Sequence, residues 1–194
     1  ASVDALRPIS VLPGDNSVGA TAGNRSSLSP GYYNMCGIGT DQRAYCWGDN
    51  TSQQLGNGRT GSSADDSVPG LVLDGDNTAG TWSSLGQSAY VTCGVGTDER
   101  GYCWGDSDGY GIMATGSADD SSVTPRLMAE GDNSTGADAG KWSKIAVDFY
   151  NACGLGLDQH IYCWGPNDYG EVGQVTSIET DGWTPTRNVD GGIA

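Results

Sequence analysis

Short apolar runs alternate along the chain with clusters of Gly, Asn, Asp and Ser. Four such runs fall within one stretch, at 70–73, 82–85, 89–94 and 101–104. Runs of this length bounded by turn-forming residues are typical of short β-strands, and no run has the length or period of an amphipathic helix. The pattern therefore predicts an all-β chain whose strands come in groups of four.

One segment of the sequence occurs three times. It runs from Tyr33 to Gly48 and returns at 90–105 and 150–165, each copy beginning with Tyr and ending in Tyr-Cys-Trp-Gly. The copies begin 57 and 60 residues apart. Four short strands in a period of this size are typical of one blade of a β-propeller.

A second repeated element sets the predicted boundaries. A proline lies six residues before each Gly-Asp-Asn triplet, at Pro8, Pro69 and Pro125, and Pro185 precedes Gly191 by the same offset. The sequence thus predicts one repeat array over 1–194, with units at about 8–68, 69–124 and 125–184. Residues 185–194 are then the start of a fourth unit, or a strand that closes a blade or is donated to another chain.

The repeated residues point to a family. The pattern from Trp82 to Gly105, with Gln54-Leu55-Gly56 in the first unit, resembles the repeats of the regulator of chromosome condensation superfamily. Secreted bacterial members of this superfamily include the type II β-lactamase inhibitor protein. The resemblance covers essentially the whole chain and implies a β-propeller with one four-stranded blade per repeat. Family members close a ring with more than three blades, so we expect three four-stranded blades that do not complete a ring by themselves.

The six cysteines form three pairs of identical spacing. If a hairpin turn is centred on Asp41, Cys36 lies directly opposite Cys46, at a separation that a cross-strand disulfide spans. Zinc and iron–sulfur sites favour closer cysteines or additional histidines, and the chain has one histidine. A disulfide is the favoured interpretation; a reduced thiol pair and a metal site are the alternatives. The predicted bridges are Cys36–Cys46, Cys93–Cys103 and Cys153–Cys163.

Charge and cysteine chemistry limit the partners and the compartment. Nine Lys and Arg against 24 Asp and Glu give a net charge of −15, which is the wrong sign for binding nucleic acid or an anionic membrane surface. No apolar stretch is long enough for membrane insertion. Disulfides form in oxidising compartments, so the sequence predicts an extracellular or cell-surface protein.

Two further sets of residues are candidate modification or cation sites. Three Asn-x-Ser/Thr sequons lie in turn-like stretches where a glycan would stand in solvent, provided that the source is a eukaryotic secretory pathway. They begin at Asn24, Asn50 and Asn133. The repeated Gly-Asp-Asn triplets place Asp15, Asp76 and Asp132 at equivalent positions. Asp capping its own turn is the favoured reading, calcium is the alternative, and no other cofactor or metal is expected.

The tryptophans and the histidine support no catalytic site. Trp47, Trp104 and Trp164 follow the second cysteine of each unit, where packing between blades is favoured over a sugar-stacking platform. His160 occupies the position of Arg43 and Arg100, so the structural repeat generates it. No nucleophile elbow or phosphate-binding loop accompanies it. The chain is not expected to be an enzyme.

These observations predict a non-enzymatic extracellular structural or adhesive protein. It would self-assemble with copies of itself, or form part of a larger propeller or fibre, because unpaired blade faces favour further assembly. The alternative is a secreted recognition module that binds a protein or a glycan, as the resemblance to the inhibitor implies. An intracellular exchange factor is a third hypothesis, which free thiols would favour.

Overall fold

The chain folds into three antiparallel four-stranded sheets, as a computed structural model shows for residues 10–15, 23–61, 65–173 and 182–188. The first sheet consists of β1 (Arg25–Pro30), β2 (Asn34–Gly39), β3 (Ala44–Gly48) and β4 (Asp66–Leu71). The second consists of β5 (Trp82–Gln87), β6 (Val91–Gly96), β7 (Gly101–Asp106) and β8 (Ser121–Leu127). The third consists of β9 (Trp142–Val147), β10 (Ala152–Gly156), β11 (Ile161–Gly165) and β12 (Gly182–Arg187). These ranges contain no helix that could cross a membrane.

The central hairpin of each sheet has the predicted register. Cys36 pairs with Cys46 between β2 and β3, and the same pairing recurs between β6 and β7 and between β10 and β11. All three pairs form disulfides with Cα atoms 4.1 Å apart, which confirms the predicted bridges. An equal number of residues on each side of the turn aspartate places the two cysteines opposite each other.

The sheets begin and end at different residues from the predicted units. Pro69 lies in β4, which pairs with β3, so the proline-containing strand is the last strand of its sheet and does not begin the next unit. The sheets span 25–71, 82–127 and 142–187, and the unit boundary at 68/69 falls inside β4. The reason is that β3 has an open edge, which the strand that follows it in sequence fills.

The proline-containing strand of the third sheet is likewise the last strand of its sheet. Pro185 lies in β12, which pairs with β11 and completes the third sheet. Residues 185–187 therefore neither start a fourth unit nor leave for another chain, and all three sheets take their four strands from this chain. The copy at Pro8 lies outside the described residues.

Adjacent sheets pack face to face through apolar layers. We call the side of a sheet that faces the following sheet its trailing face, and the opposite side its leading face. The trailing face of the first sheet presents Ile38, Ala44 and its disulfide, which contact Trp82 and Trp104 on the leading face of the second. The second sheet packs on the third through an equivalent layer. Each interface therefore joins a disulfide-bearing face to a tryptophan-bearing face.

Candidate interaction surfaces

The tryptophans after the second cysteines are interface residues. Trp104 and Trp164 are fully buried, and their indole N–H groups donate to the carbonyls of Gln54 and Ile112 at 3.0 and 2.7 Å. Both carbonyls belong to the preceding repeat. Gln54 and Ile112 are equivalent residues, because Ile112-Met113-Ala114 occupies the place of Gln54-Leu55-Gly56. Packing between blades is therefore the role of these two side chains. Trp47, which no sheet precedes within the described residues, is half-buried.

The trailing face of the third sheet is apolar and uncovered. Leu155 and Ile161 are 41% and 50% exposed, whereas Ile38 and Val95, at the position of Leu155 in the other sheets, are buried. Shallow grooves on this face are lined by Ala146, Cys153 and neighbouring residues of β9 and β10. This face has the chemistry of a sheet interface and lacks a covering sheet within the described residues.

The leading face of the first sheet is partly adapted to its end position. Arg25 stands where the other sheets have Trp82 and Trp142, and its guanidinium lies 4.5 Å from the centroid of the Tyr45 ring. In the second sheet the corresponding contact is between the rings of Trp82 and Tyr102, at 5.7 Å. The guanidinium thus replaces an indole against the same tyrosine, and the leading face keeps its aromatic character.

Each hairpin turn is held by a tyrosine–aspartate pair. The hydroxyls of Tyr45, Tyr102 and Tyr162 donate to Asp41, Asp98 and Asp158 at 2.6–2.7 Å. Burial, followed by this hydrogen bond, raises the pKa of Tyr45 and of Tyr162 to about 12, and raises that of Tyr102 as well. The sequence indicated no role for His160 beyond its place in the repeat. Its Nδ1 atom lies 3.0 Å from Asp158 Oδ2 on the third hairpin turn.

These tyrosines predict a loss of stability at alkaline pH. Unfolded tyrosine ionises near pH 10, whereas the folded state holds Tyr45 and Tyr162 protonated to about pH 12. The folded state therefore binds more protons in this window, and the free energy of unfolding should fall as pH rises from 10 to 12. Urea midpoints at pH 8, 10 and 11 measure this fall. The Tyr45→Phe/Tyr162→Phe variant should show a shallower dependence; an unchanged slope would contradict the assignment.

The repeated aspartates clamp the last strand of each sheet. The Oδ2 atoms of Asp15, Asp76 and Asp132 accept the backbone N–H of Leu71, Leu127 and Arg187 at 2.8–3.0 Å. Their own N–H groups donate to the carbonyls of Pro69, Pro125 and Pro185. The carboxylates thus bond to strands more than 50 residues away, not within their own turns as expected. No metal-binding cluster of His, Cys, Asp or Glu occurs among the described residues, and calcium at these aspartates stays a prediction.

The sequons differ in accessibility. Asn24 is exposed, whereas Asn50 and Asn133 are buried. The Asn50 side-chain amide donates to Asn57 Oδ1 and Arg59 O, and that of Asn133 donates to Lys141 O at 3.1 Å. The expectation that all three stand in solvent is therefore wrong for these two, because each amide satisfies a loop backbone or side chain. Glycosylation of Asn24 stays a prediction.

Six aromatic rings form one cluster at one rim of the sheets. Five of them lie in the turns between the first two strands of a sheet, and Tyr110 lies in the loop between β7 and β8. Ring centroids 4.3–5.9 Å apart connect them continuously across all three sheets. Tyr32 and Tyr33 are 63% and 69% exposed, and the remaining rings are less exposed. We call this group the rim cluster; it consists of Tyr32, Tyr33, Tyr90, Tyr110, Phe149 and Tyr150.

Two buried side-chain amides lie against the turn between β1 and β2. Asn34 and Gln87 are 5% and 7% exposed, and none of their side-chain N and O atoms has a hydrogen-bond partner within the part of the chain described. Both lie close to Gly31, since a β-carbon built there would collide with Asn34 Oδ1 and lie 2.9 Å from Gln87 Oε1. The turn that carries Tyr32 and Tyr33 therefore also holds two donors and two acceptors in need of partners.

The rim cluster was not among the sites predicted from sequence. A signal for it exists, because Tyr33, Tyr90 and Tyr150 each lie three residues before the first cysteine of a repeated segment. Periodicity alone does not show that these turns meet. Tyr32 and Phe149 hold equivalent places, one residue before the repeated tyrosine, and Tyr110 has its equivalent in Tyr169. Only the packing of the sheets brings the rings of the cluster together.

Comparison with known proteins supports the repeat assignment. Residues 26–54 match the family model described as the regulator of chromosome condensation (RCC1) repeat. No curated protein matches the sequence.

Solved structures share the fold at low sequence identity. Human WBSCR16 is 19% identical with a TM-score of 0.69, over 84% of this chain and 37% of its own. Prp20p from Saccharomyces cerevisiae, described together with its binding properties to Gsp1p and histones, is 17% identical with a TM-score of 0.70, over 88% of this chain and 39% of its own. The same yeast protein bound to Kap60 is 16% identical with a TM-score of 0.69, over 88% of this chain and 38% of its own. This chain spans less than two fifths of these structures. The chain thus shares the fold of these structures, and residues 26–54 match a repeat of the regulator of chromosome condensation type.

Proposed function

We propose that this chain is a non-catalytic structural component of an extracellular or cell-surface assembly, and that its end faces dock on further propeller blades. The observation that carries the proposal is the trailing face of the third sheet. Leu155 and Ile161 are exposed there, while the residues at their positions in the other two sheets are buried under the next sheet. Exposed apolar surface of this kind marks an interaction site.

A second copy of the chain is the occupant that the contacts favour. Its leading face carries Tyr45 and Trp47 at the positions from which Tyr102 and Trp104 cover the first sheet. In a head-to-tail contact, the Trp47 indole N–H would meet the carbonyl of Glu171, which occupies the position of Gln54. Such a contact is heterologous, so repetition closes a ring or extends a filament.

The disulfides support an extracellular or cell-surface location. Three bridges in a chain of 194 residues are typical of proteins that fold where glutathione does not keep thiols reduced. The described residues contain no free cysteine that would support the reduced alternative. Secretion with three intact bridges, measured by intact mass before and after reduction, is the expected result.

Leu155→Asp should abolish assembly without unfolding the chain. A carboxylate on the trailing face would have to lose its hydration in the contact, which costs far more than the leucine contributes. Light scattering after size exclusion should show multiples of 20.0 kDa for the unmodified chain and a monomer for the variant. Leu73→Asp is the matched control, because Leu73 is 43% exposed and follows β4 of the first sheet, outside this face. A strictly monomeric chain at high concentration would refute assembly between copies.

A recognition role is a second proposal, and the rim cluster is the observation that favours it. Exposed tyrosines supply rigid contact area at little cost in conformational entropy. Structural relatives also bind proteins, since Prp20p binds Gsp1p and histones and is bound by Kap60. A protein or a glycan that docks on the rim would leave both end faces free for assembly.

A further inference from the structure

We propose that the rim cluster binds a peptide segment bearing arginine or lysine, with the cationic side chain against the tyrosine rings and the peptide backbone on Asn34 and Gln87. The inference rests on the recognition role proposed above and adds the chemistry of the ligand. Three independent features of the rim support it: ring faces open to solvent, carboxylates that lack cationic partners, and buried amides that lack hydrogen bonds.

The rings provide the first part of the site. Tyr32 and Tyr33 meet edge to face with centroids 4.3 Å apart, and Tyr32 meets Phe149 at 5.9 Å and 86°. Edge-to-face packing leaves ring faces of the two exposed tyrosines available to a ligand. The face of an aromatic ring is electron-rich and attracts a guanidinium or ammonium group within about 6 Å of the centroid.

Carboxylates at the same rim add a negative field. The N–H of Asp49 donates to Tyr33 O at 3.1 Å, and the N–H of Asp106 donates to Tyr90 O at 3.1 Å, so the two aspartates occupy equivalent places beside two rim tyrosines. The Asp49 carboxylate accepts from Thr51 and Gln54, which are neutral. No ion pair among the described residues includes Asp49, Asp106 or Asp108.

The titration of the rim tyrosines agrees with this field. A hydrogen bond with Tyr32 raises the pKa of Tyr33, and the charge of Asp49 raises it further. The neighbouring Tyr150, burial and the charge of Asp108 raise the pKa of Tyr110. The carboxylates of Asp49 and Asp108 thus act on these phenols, after the larger effect of the neighbouring tyrosines.

The buried amides distinguish a peptide from a simple cation. An unpaired polar group in a buried position costs free energy that a ligand recovers when it supplies the partner. Asn34 and Gln87 each need both a donor and an acceptor, and a peptide group offers one of each. Their amide atoms are closed to solvent, so a peptide reaches them only when the turn at Gly31 moves aside. Sugar hydroxyls also do so, but they gain nothing from the carboxylates beyond hydrogen bonds. The charge of the rim therefore favours the basic peptide.

Fluorescence anisotropy with the intact, disulfide-bonded chain tests the inference. The probe is a fluorescein-labelled peptide of alternating arginine and glycine, and its neutral match carries citrulline in place of arginine. We expect saturable binding of the arginine peptide and at least tenfold weaker binding of the citrulline peptide. Equal binding of the two peptides would overturn the inference.

Variants separate the rim from general attraction to an acidic protein. Tyr32→Ala/Tyr33→Ala should weaken binding of the arginine peptide at least tenfold. Tyr169→Ala should leave it unchanged, because Tyr169 is exposed and has no ring contact to the cluster among the described residues. Gln87→Met should weaken binding while leaving the urea midpoint unchanged or higher, because it removes an unpaired buried amide. A binding affinity that none of these rim changes alters would show non-specific charge attraction and refute the site.

A panel of neutral oligosaccharides completes the test. Oligosaccharide binding that Tyr32→Ala/Tyr33→Ala abolishes, with no binding of the arginine peptide, would keep the recognition role and refute the cationic ligand. Failure of both the peptide and the oligosaccharides to bind would refute the recognition role itself. Assembly through the end faces would be unaffected by either result.

Discussion

Replacing Trp104 with alanine should lower the free energy of unfolding by about 3–5 kcal/mol, the usual cost of deleting a fully buried indole. The side chain fills the interface between the first and second sheets, and its N–H donates to Gln54 O at 3.0 Å. The substitution therefore opens a cavity and also leaves a buried carbonyl with one partner fewer. Urea unfolding followed by circular dichroism measures the loss.

Trp47→Ala is the matched control for this change. Trp47 follows the second cysteine of its unit as Trp104 does, but it is half-buried because none of the three described sheets covers it. We expect a loss below about 2 kcal/mol, since only part of the indole leaves water on folding. Equal losses for the two variants would show that inter-sheet packing is not what Trp104 contributes.

Gly75→Ala should be the second most damaging change, with a loss of more than about 3 kcal/mol. Gly75 has a φ of 55°, where an L-residue costs roughly 1–2 kcal/mol. A β-carbon at this position would also collide with the carbonyl oxygen of Pro125 in the clamped strand β8. That oxygen accepts the N–H of Asp76 at 2.8 Å, so the clamp has to open to make room.

Gly109→Ala separates the two costs. Gly109 has a φ of 82°, and a β-carbon there would meet no atom within 4 Å. This variant should lose only the backbone cost of roughly 1–2 kcal/mol. The difference between the two urea-derived free energies measures the clash with the strand. A Gly75→Ala variant no less stable than Gly109→Ala would refute the clamp.

Local features of the fold could be read from the sequence. The turn aspartates set the register of each central hairpin, and this register brings Cys36 opposite Cys46 in the first sheet. Strand number, disulfide pairing and the interface role of Trp104 followed from the repeat in the same way. Each depends on residues within one unit, or on a contact that recurs in every unit.

Other features depended on neighbours that lie far apart in sequence. Asn50 and Asn133 carry sequons in turn-like segments, yet loop contacts bury both side chains. The Asp76 carboxylate accepts a hydrogen bond from a strand 51 residues away, although the sequence predicted that it would cap its own turn. Composition and spacing carry no information about which loop folds over which side chain.

The sequence alone determined the repeating unit: its strands, its hairpin register and its disulfide, because these arise from interactions within about 60 residues. The tertiary structure decided which strands share a sheet, which end face stays uncovered, and that tyrosines from three separate turns meet in one cluster. Identical units acquire different surfaces once stacked, because burial depends on which neighbour each face meets. Leu155 and Val95 hold the same place in their units, and only the stacking leaves one exposed and the other buried.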